Sequence, residues 1–88
     1  MTAEELNDAA WNFYLHIEDR GMLEDALTWA EKSVETERHY YNLDTWSALL
    51  YKLGRKKEAK EKSLEAIAAA KEEGEDYSQT EARMKEKK

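Results

Sequence analysis

Cysteine and proline are absent from the 88 residues, and only three glycines and one phenylalanine occur. Without cysteine there is no disulfide, no thiolate metal centre and no thiol nucleophile, and nothing points to one redox compartment over another. Without proline the chain lacks the residue that most sharply interrupts helices. Combined with 39% charged residues, this favours helices with solvated faces over sheets or flexible linkers. An all-α fold is expected. No apolar run approaches the roughly 20 residues that span a bilayer, and no signal-peptide pattern is seen. The expectation is a soluble domain of undetermined compartment, with no membrane contact.

Charge is unevenly spread. Residues 1–44 hold eleven acids and three bases, whereas residues 45–88 hold nine acids and eleven bases. An acidic first half argues against binding nucleic acid, which requires a continuous basic surface. The basic stretch Arg55–Lys62 is interrupted by Glu58 and Glu61, as on a solvated helix face.

The positive signal is periodic. Leu43, Trp46, Leu50 and Leu53 recur at spacings of three and four, one stripe of an α-helix. Beyond Gly54, the small residues Ala59, Ser63, Ala66 and Ala70, with Ile67, mark a second helix able to approach the first closely. Upstream, Thr2 and Glu5 form a capping box, and Leu6, Ala10, Phe13 and Ile17 share one face of a helix. That helix is expected to end near Arg20, with Gly21 as its left-handed terminator. Leu23, Ala26, Leu27, Ala30 and Val34 then form the next stripe, to about Thr36, with Glu24 and Asp25 in its first turn. Asn42 is the expected N-cap of the third helix, and Gly74 the end of the fourth. Ser78 to Glu81 reads as a second capping box, with Tyr77 stapled to Ala82, opening a short fifth helix.

An internal repeat joins the halves. Gly21 and Ala26 recur as Gly54 and Ala59, and Phe13, Ile17, Ser33 and Val34 map at the same offset onto Trp46, Leu50, Ala66 and Ile67. One domain, residues 1–88, is expected: two stacked antiparallel helical hairpins over about 3–36 and 42–73, plus a capping helix over about 78–86. The segment YKLGRKKEAKEKSLEAI, with GMLEDALTWAEKSV as its weaker counterpart, resembles the tetratricopeptide repeat. The resemblance covers roughly Leu6 to Ala70. It implies a non-enzymatic module that offers the inner face of its first helices to a protein or peptide. Several positions depart from the family pattern: Tyr14 and Ser47 stand where a small residue usually follows the first-helix Leu, Ala30 and Ser63 replace the mid-helix aromatic, and Arg38 stands near the closing Pro. The carboxylate clamp of chaperone-binding members has no counterpart, since the matching positions hold Trp11, Leu15, Thr45 and Ala48. Residues 40–82 are also similar to the helical C-terminal extension of some bacterial thioredoxin-like proteins, which implies a structural accessory or assembly domain instead.

No residue set reads as catalytic, and no cofactor or metal is expected. His16 and His39 lie on different elements without converging ligands, and suit the surface or a cap. Paired acids such as Glu4/Glu5 and Glu24/Asp25 suit solvated helix faces. Phe13 and Trp46 are expected to pack, Trp29 to wedge between repeats, and Tyr40 and Tyr41 to cover the hairpin connection, unless Tyr41 borders a groove. With Phe13 facing the core, Trp11 and Leu15 fall about 160° away on the helical wheel. Stacking the hairpins sets that side opposite Asp44, Thr45, Ala48 and Lys52, with Tyr51 at the margin. Ala48 is small enough to leave a depression, rimmed by Asp8, Asn12 and Lys52. The expected site is therefore Asp8, Trp11, Asn12, Leu15, Asp44, Thr45, Ala48, Tyr51 and Lys52, with Asp8 and Asp44 favouring a basic segment. Alternatively the fifth helix, a neighbouring domain or a second copy covers Trp11. A monomer or weak homodimer is expected.

Overall fold

A computed structural model describes residues 1–86. Five helices follow one another, α1 (Ala3–His16), α2 (Arg20–Thr36), α3 (Tyr40–Lys52), α4 (Lys56–Glu73) and α5 (Ser78–Lys85), with no strand among the described residues. α1 pairs with α2 and α3 with α4 as antiparallel hairpins, α3 lies against both helices of the first hairpin, and α5 covers α4 and the edge of α3.

Local chemistry explains most of the boundaries. Thr2 Oγ1 accepts the Glu5 N–H at 3.1 Å while Glu5 Oε1 accepts the Thr2 N–H at 2.9 Å, so the capping box opens α1. α3 and α4 are joined through Gly54, at φ 82°, and α4 stops at Gly74, at φ 75°. Both positions need the left-handed region that glycine enters without strain.

Three expected boundaries are corrected. Gly21 is not a terminator: it is the second residue of α2, and it is not among the positive-φ glycines. Ile17 turns out of α1 in extended conformation, and Asp19 then caps α2 by accepting the Met22 N–H at 2.9 Å. α2 thus starts ahead of its apolar stripe, and Glu24 and Asp25 fall beyond the first turn. Asn42 does not cap α3, because His39 does so, its Nδ1 accepting the Tyr41 N–H at 3.3 Å. Asn42 instead donates to Glu37 O at 2.8 Å and Ser33 O at 3.4 Å, sealing the carbonyl end of α2. Ser78 opens no capping box: it is the first residue of α5, and its N–H is taken by Asp76 Oδ1 at 2.9 Å. Tyr77 turns into the core, and Ala82 stays exposed.

The second helices keep the repeat register, since Ala26, Ala59, Ser33 and Ala66 are all fully buried. The turns do not keep it, because one is closed by an aspartate cap and the other by Gly54. Along α4, Ala59, Ser63, Ala66 and Ala70 are fully buried, and these short side chains let α4 pack closely on α3. One core cluster joins Ala10, Leu23, Leu27, Leu49, Leu50 and Leu53 across the hairpins, flanked by Phe13, Trp29 and Trp46. Trp29 meets Phe13 edge-on, with ring centroids 4.9 Å apart, inside the first hairpin. A second cluster gathers Val34, Tyr40, Leu43, Ala66 and Ala70 beneath Tyr77.

The two glycines separate in a stability measurement. Nothing lies within 4 Å of a Cβ placed on Gly54, so Gly54→Ala carries backbone strain alone and should destabilise by about 1 kcal/mol in denaturant unfolding. Gly21→Ala, in helical conformation, gains helix propensity but sets a Cβ 3.3 Å from Asp19 Oδ1, the cap acceptor, so its loss should be smaller than that of Gly54→Ala. Equal losses for both would contradict the turn geometry.

Candidate functional site

The inner face is built by α1, α3 and α5. A spacing of three and four brings Glu4, Asn7, Asp8 and Trp11 to one side of α1. Opposite them stand Tyr40, Tyr41, Asp44 and Thr45 of α3, with Glu37 and His39 from the α2–α3 turn and Asp76, Ser78 and Gln79 from the approach to α5. Together they enclose a groove of ≈ 680 Å³. Five of its lining residues are carboxylates, and none of the described ones is lysine or arginine.

A second depression adjoins it, lined by Tyr14, Leu15, Tyr51, Lys52, Lys56, Arg83 and Glu86. Two contacts form the boundary. Trp11 of the first groove stacks on Tyr14 of the second, with centroids 4.8 Å apart and planes at 24°. Asp44 of the first takes Arg83 Nη1 of the second at 2.7 Å.

The nine expected residues are therefore not one wall. Asp8, Trp11, Asp44 and Thr45 share the acidic groove, whereas Leu15, Tyr51 and Lys52 share the other depression. Asn12 is exposed and lines neither, its Nδ2 donating to Asp8 O at 3.1 Å. Ala48 opens no depression, since neighbouring helices bury it completely. Trp11 is half-buried against Tyr14, while Leu15 is 51% exposed. Lys52 is held from below, donating to Tyr14 O and pairing with Glu18 at 3.3 Å.

Asp44, expected on the inner wall as a charge favouring a basic segment, is already engaged within the chain. Its side chain is 13% exposed and the Arg83 guanidinium is 10% exposed. Thr80 Oγ1, fully buried, donates to Asp44 Oδ1 at 2.6 Å, and because a carboxylate only accepts, the Tyr40 hydroxyl must in turn donate to Thr80 at 2.8 Å. A directed chain of donors thus ends on Asp44. Burial works against the charged Arg83, and the hydrogen bond and charge of Asp44 outweigh it, so its pKa rises. Burial also raises the Tyr40 pKa, keeping the phenol protonated as a donor. At the groove mouth, the backbone N–H and hydroxyl of Ser78 hold the Asp76 carboxyl below its usual range.

His39, Glu73 and Glu75 bring their ligating atoms within 4.8 Å of one another. They already satisfy one another locally: His39 Nε2 lies 3.4 Å from Glu73, and the Tyr41 hydroxyl donates to Glu75 at 2.8 Å. Since His39 Nδ1 caps α3, a metal at Nε2 would require the ring proton to move to Nδ1 and break that cap.

Sequence reasoning missed Glu4, Asn7 and Tyr14, and it weighed α5 as a cover for Trp11, whereas α5 packs on α4 and α3 and reaches Asp44. Asn7 and Tyr14 were legible as the residues four before and three after Trp11, and Glu4 as the residue two turns before it. Thr80 and Arg83 had no such signal, because nothing local says which face of α3 an eight-residue helix will reach.

The Asp44–Arg83 pair is open to a direct test. Asp44→Ala leaves a mostly buried guanidinium without its partner, which should destabilise by about 2–3 kcal/mol in denaturant unfolding. Amide exchange across residues 78–85 should accelerate; unchanged exchange there would mean that other contacts hold α5.

No protein-family description matches the chain, and no curated protein or solved structure matches it either, so function has to be read from the groove itself.

Proposed function

We propose that this protein is a non-enzymatic interaction module of the tetratricopeptide type, which binds a basic peptide segment of a partner protein along its inner face. One observation carries the reading: Glu4, Asp8, Glu37, Asp44 and Asp76 converge on a groove floored by Trp11, Tyr40 and Tyr41, and no described lysine or arginine enters the lining. Its volume lies within the roughly 300–1,000 Å³ of typical ligand sites. Asp44 is already paired with Arg83, whereas the exposed Glu4, Asp8, Glu37 and Asp76 attract cations and favour fast, salt-sensitive association. Aromatic rings beside them supply the apolar area that dominates interface energies. The hairpin order, with first helices inside and second helices outside, agrees with the repeat resemblance seen in the sequence.

Selection of random twelve-residue peptides from a displayed library against the full chain tests the proposal. The enriched peptides should be basic, and fluorescence anisotropy should show binding that weakens as salt screens the groove. Trp11→Ala, with the helical spectrum preserved, should weaken binding by at least about 2 kcal/mol. Unchanged affinity in that variant would place the site elsewhere.

A further inference from the structure

The outer face of α4 carries a surface opposite in sign to the groove. Ala59, Ser63, Ala66 and Ala70 turn inward and are fully buried. On the far side of the wheel, about 130° from them, Lys57, Lys60, Leu64, Ala68 and Lys71 fall within about 40° of one line. All five are exposed, and Leu64, 53% exposed at the centre, is the one large apolar side chain that α4 leaves in water. On the flanks of the same helix Arg55 and Lys62 are each paired with a glutamate, at 2.8 and 3.3 Å. Among the described residues no carboxylate pairs with Lys57 or Lys60. The nearest acid on the wheel, Glu61, lies about 60° to one side.

The groove is the complement of this ridge. Glu4, Asp8, Glu37 and Asp76 are exposed there beside the rings of Trp11 and Tyr41. A convex helix bearing lysines around a leucine therefore meets a concave face bearing carboxylates around aromatics, charge to charge and apolar to apolar. The spacing agrees. Lys57 and Lys71 stand about 10 Å either side of Leu64 along α4, and Glu4 and Trp11 are about 10 Å apart along α1, so Leu64 on Trp11 brings a lysine level with Glu4.

We infer that the groove of one copy receives the outer face of α4 of a second copy, with Leu64 on Trp11 and Tyr41 and the three lysines toward the exposed carboxylates. This rests on the peptide-binding reading and names the basic segment as the chain's own fourth helix. α4 packs on α3 by the opposite edge, so the ridge points away from the α1, α3 and α5 face and a chain cannot fill its own groove. The contact is heterologous. Each joined pair keeps one groove and one ridge free, so copies add until a ring closes or an open chain grows.

The test is sedimentation of the full chain over a concentration series, with one variant for each side of the contact. The wild type should grow in mass with concentration beyond two chains. Asp8→Lys in the groove, and Lys60→Gln with Leu64→Gln on the ridge, should each weaken self-association by at least about tenfold while the helical spectrum is preserved. Mixed in equal amounts, the two variants should associate again and stop at two chains, because one intact groove and one intact ridge remain between them. A wild type that stays monomeric up to about 1 mM would overturn the contact, as would a dimer indifferent to both variants. Association that needs the ridge but survives Asp8→Lys would seat α4 elsewhere and overturn it too. The two readings fail separately. Library peptides that bind through Trp11 while the chain stays monomeric would leave peptide binding standing without the self-contact. Restored association of the mixed variants with no peptide enriched would do the reverse.

Discussion

Of the residues of α3 only Tyr41 is exposed, and the rest of the molecule is arranged around this central helix. Among the described residues it is the one helix in contact with the other four. Its sequence is not uniformly apolar, although a helix this largely covered would usually be nearly so. The polar residues that go inside are short and bond to backbone nearby: Thr45 Oγ1 donates to Tyr41 O at 2.9 Å and Ser47 Oγ to Asp44 O at 2.9 Å. Each hydroxyl is satisfied within α3, so the surrounding helices can pack on it without leaving those polar atoms unpaired. The apolar side chains Leu43, Leu49 and Leu50 then do the work of joining the hairpins, since each is at most 2% exposed.

The last helix docks by a different kind of contact. α5 buries a single residue, Thr80, and is held through a hydrogen-bond chain and one ion pair rather than an apolar stripe. Such an attachment is specific in geometry and modest in net energy, because removing two charges from water offsets much of their attraction. It also settles the electrostatics of the inner face. By neutralising Asp44, Arg83 withdraws one carboxylate from the groove and leaves Glu4, Asp8, Glu37 and Asp76 as its accessible acids.

The acidity of the groove comes from three places. Glu4 and Asp8 ride on α1, Glu37 stands in the α2–α3 turn, and Asp76 precedes α5. Packing α1 beside α3 gathers them, since in the extended chain they are far apart. Several basic residues of the second half are directed elsewhere: Arg55 pairs with Glu58 at 2.8 Å, Lys62 lies 4.5 Å over the Trp46 ring, and Lys52 donates to Tyr14 O, while Arg83 is taken up by Asp44. The uneven charge of the two halves therefore becomes an uneven surface.

The amino-acid sequence by itself determined the five helices, their pairing into hairpins and the common register of α2 and α4. Those features depend on contacts three or four residues apart, which spacing reveals directly. It also placed Trp11 and Leu15 opposite the core, because a helical wheel needs no knowledge of neighbours. Helix starts were less legible where two caps competed: Asp19 outweighed the glycine signal at Gly21, and His39 took the role expected of Asn42. Only the tertiary structure decided where α5 lands, that Asp44 is held by Arg83, and that Trp11 and Leu15 face different depressions. Those outcomes join residues more than 35 positions apart through polar contacts, whose energies depend on burial and angle. Neither quantity exists until the helices have packed.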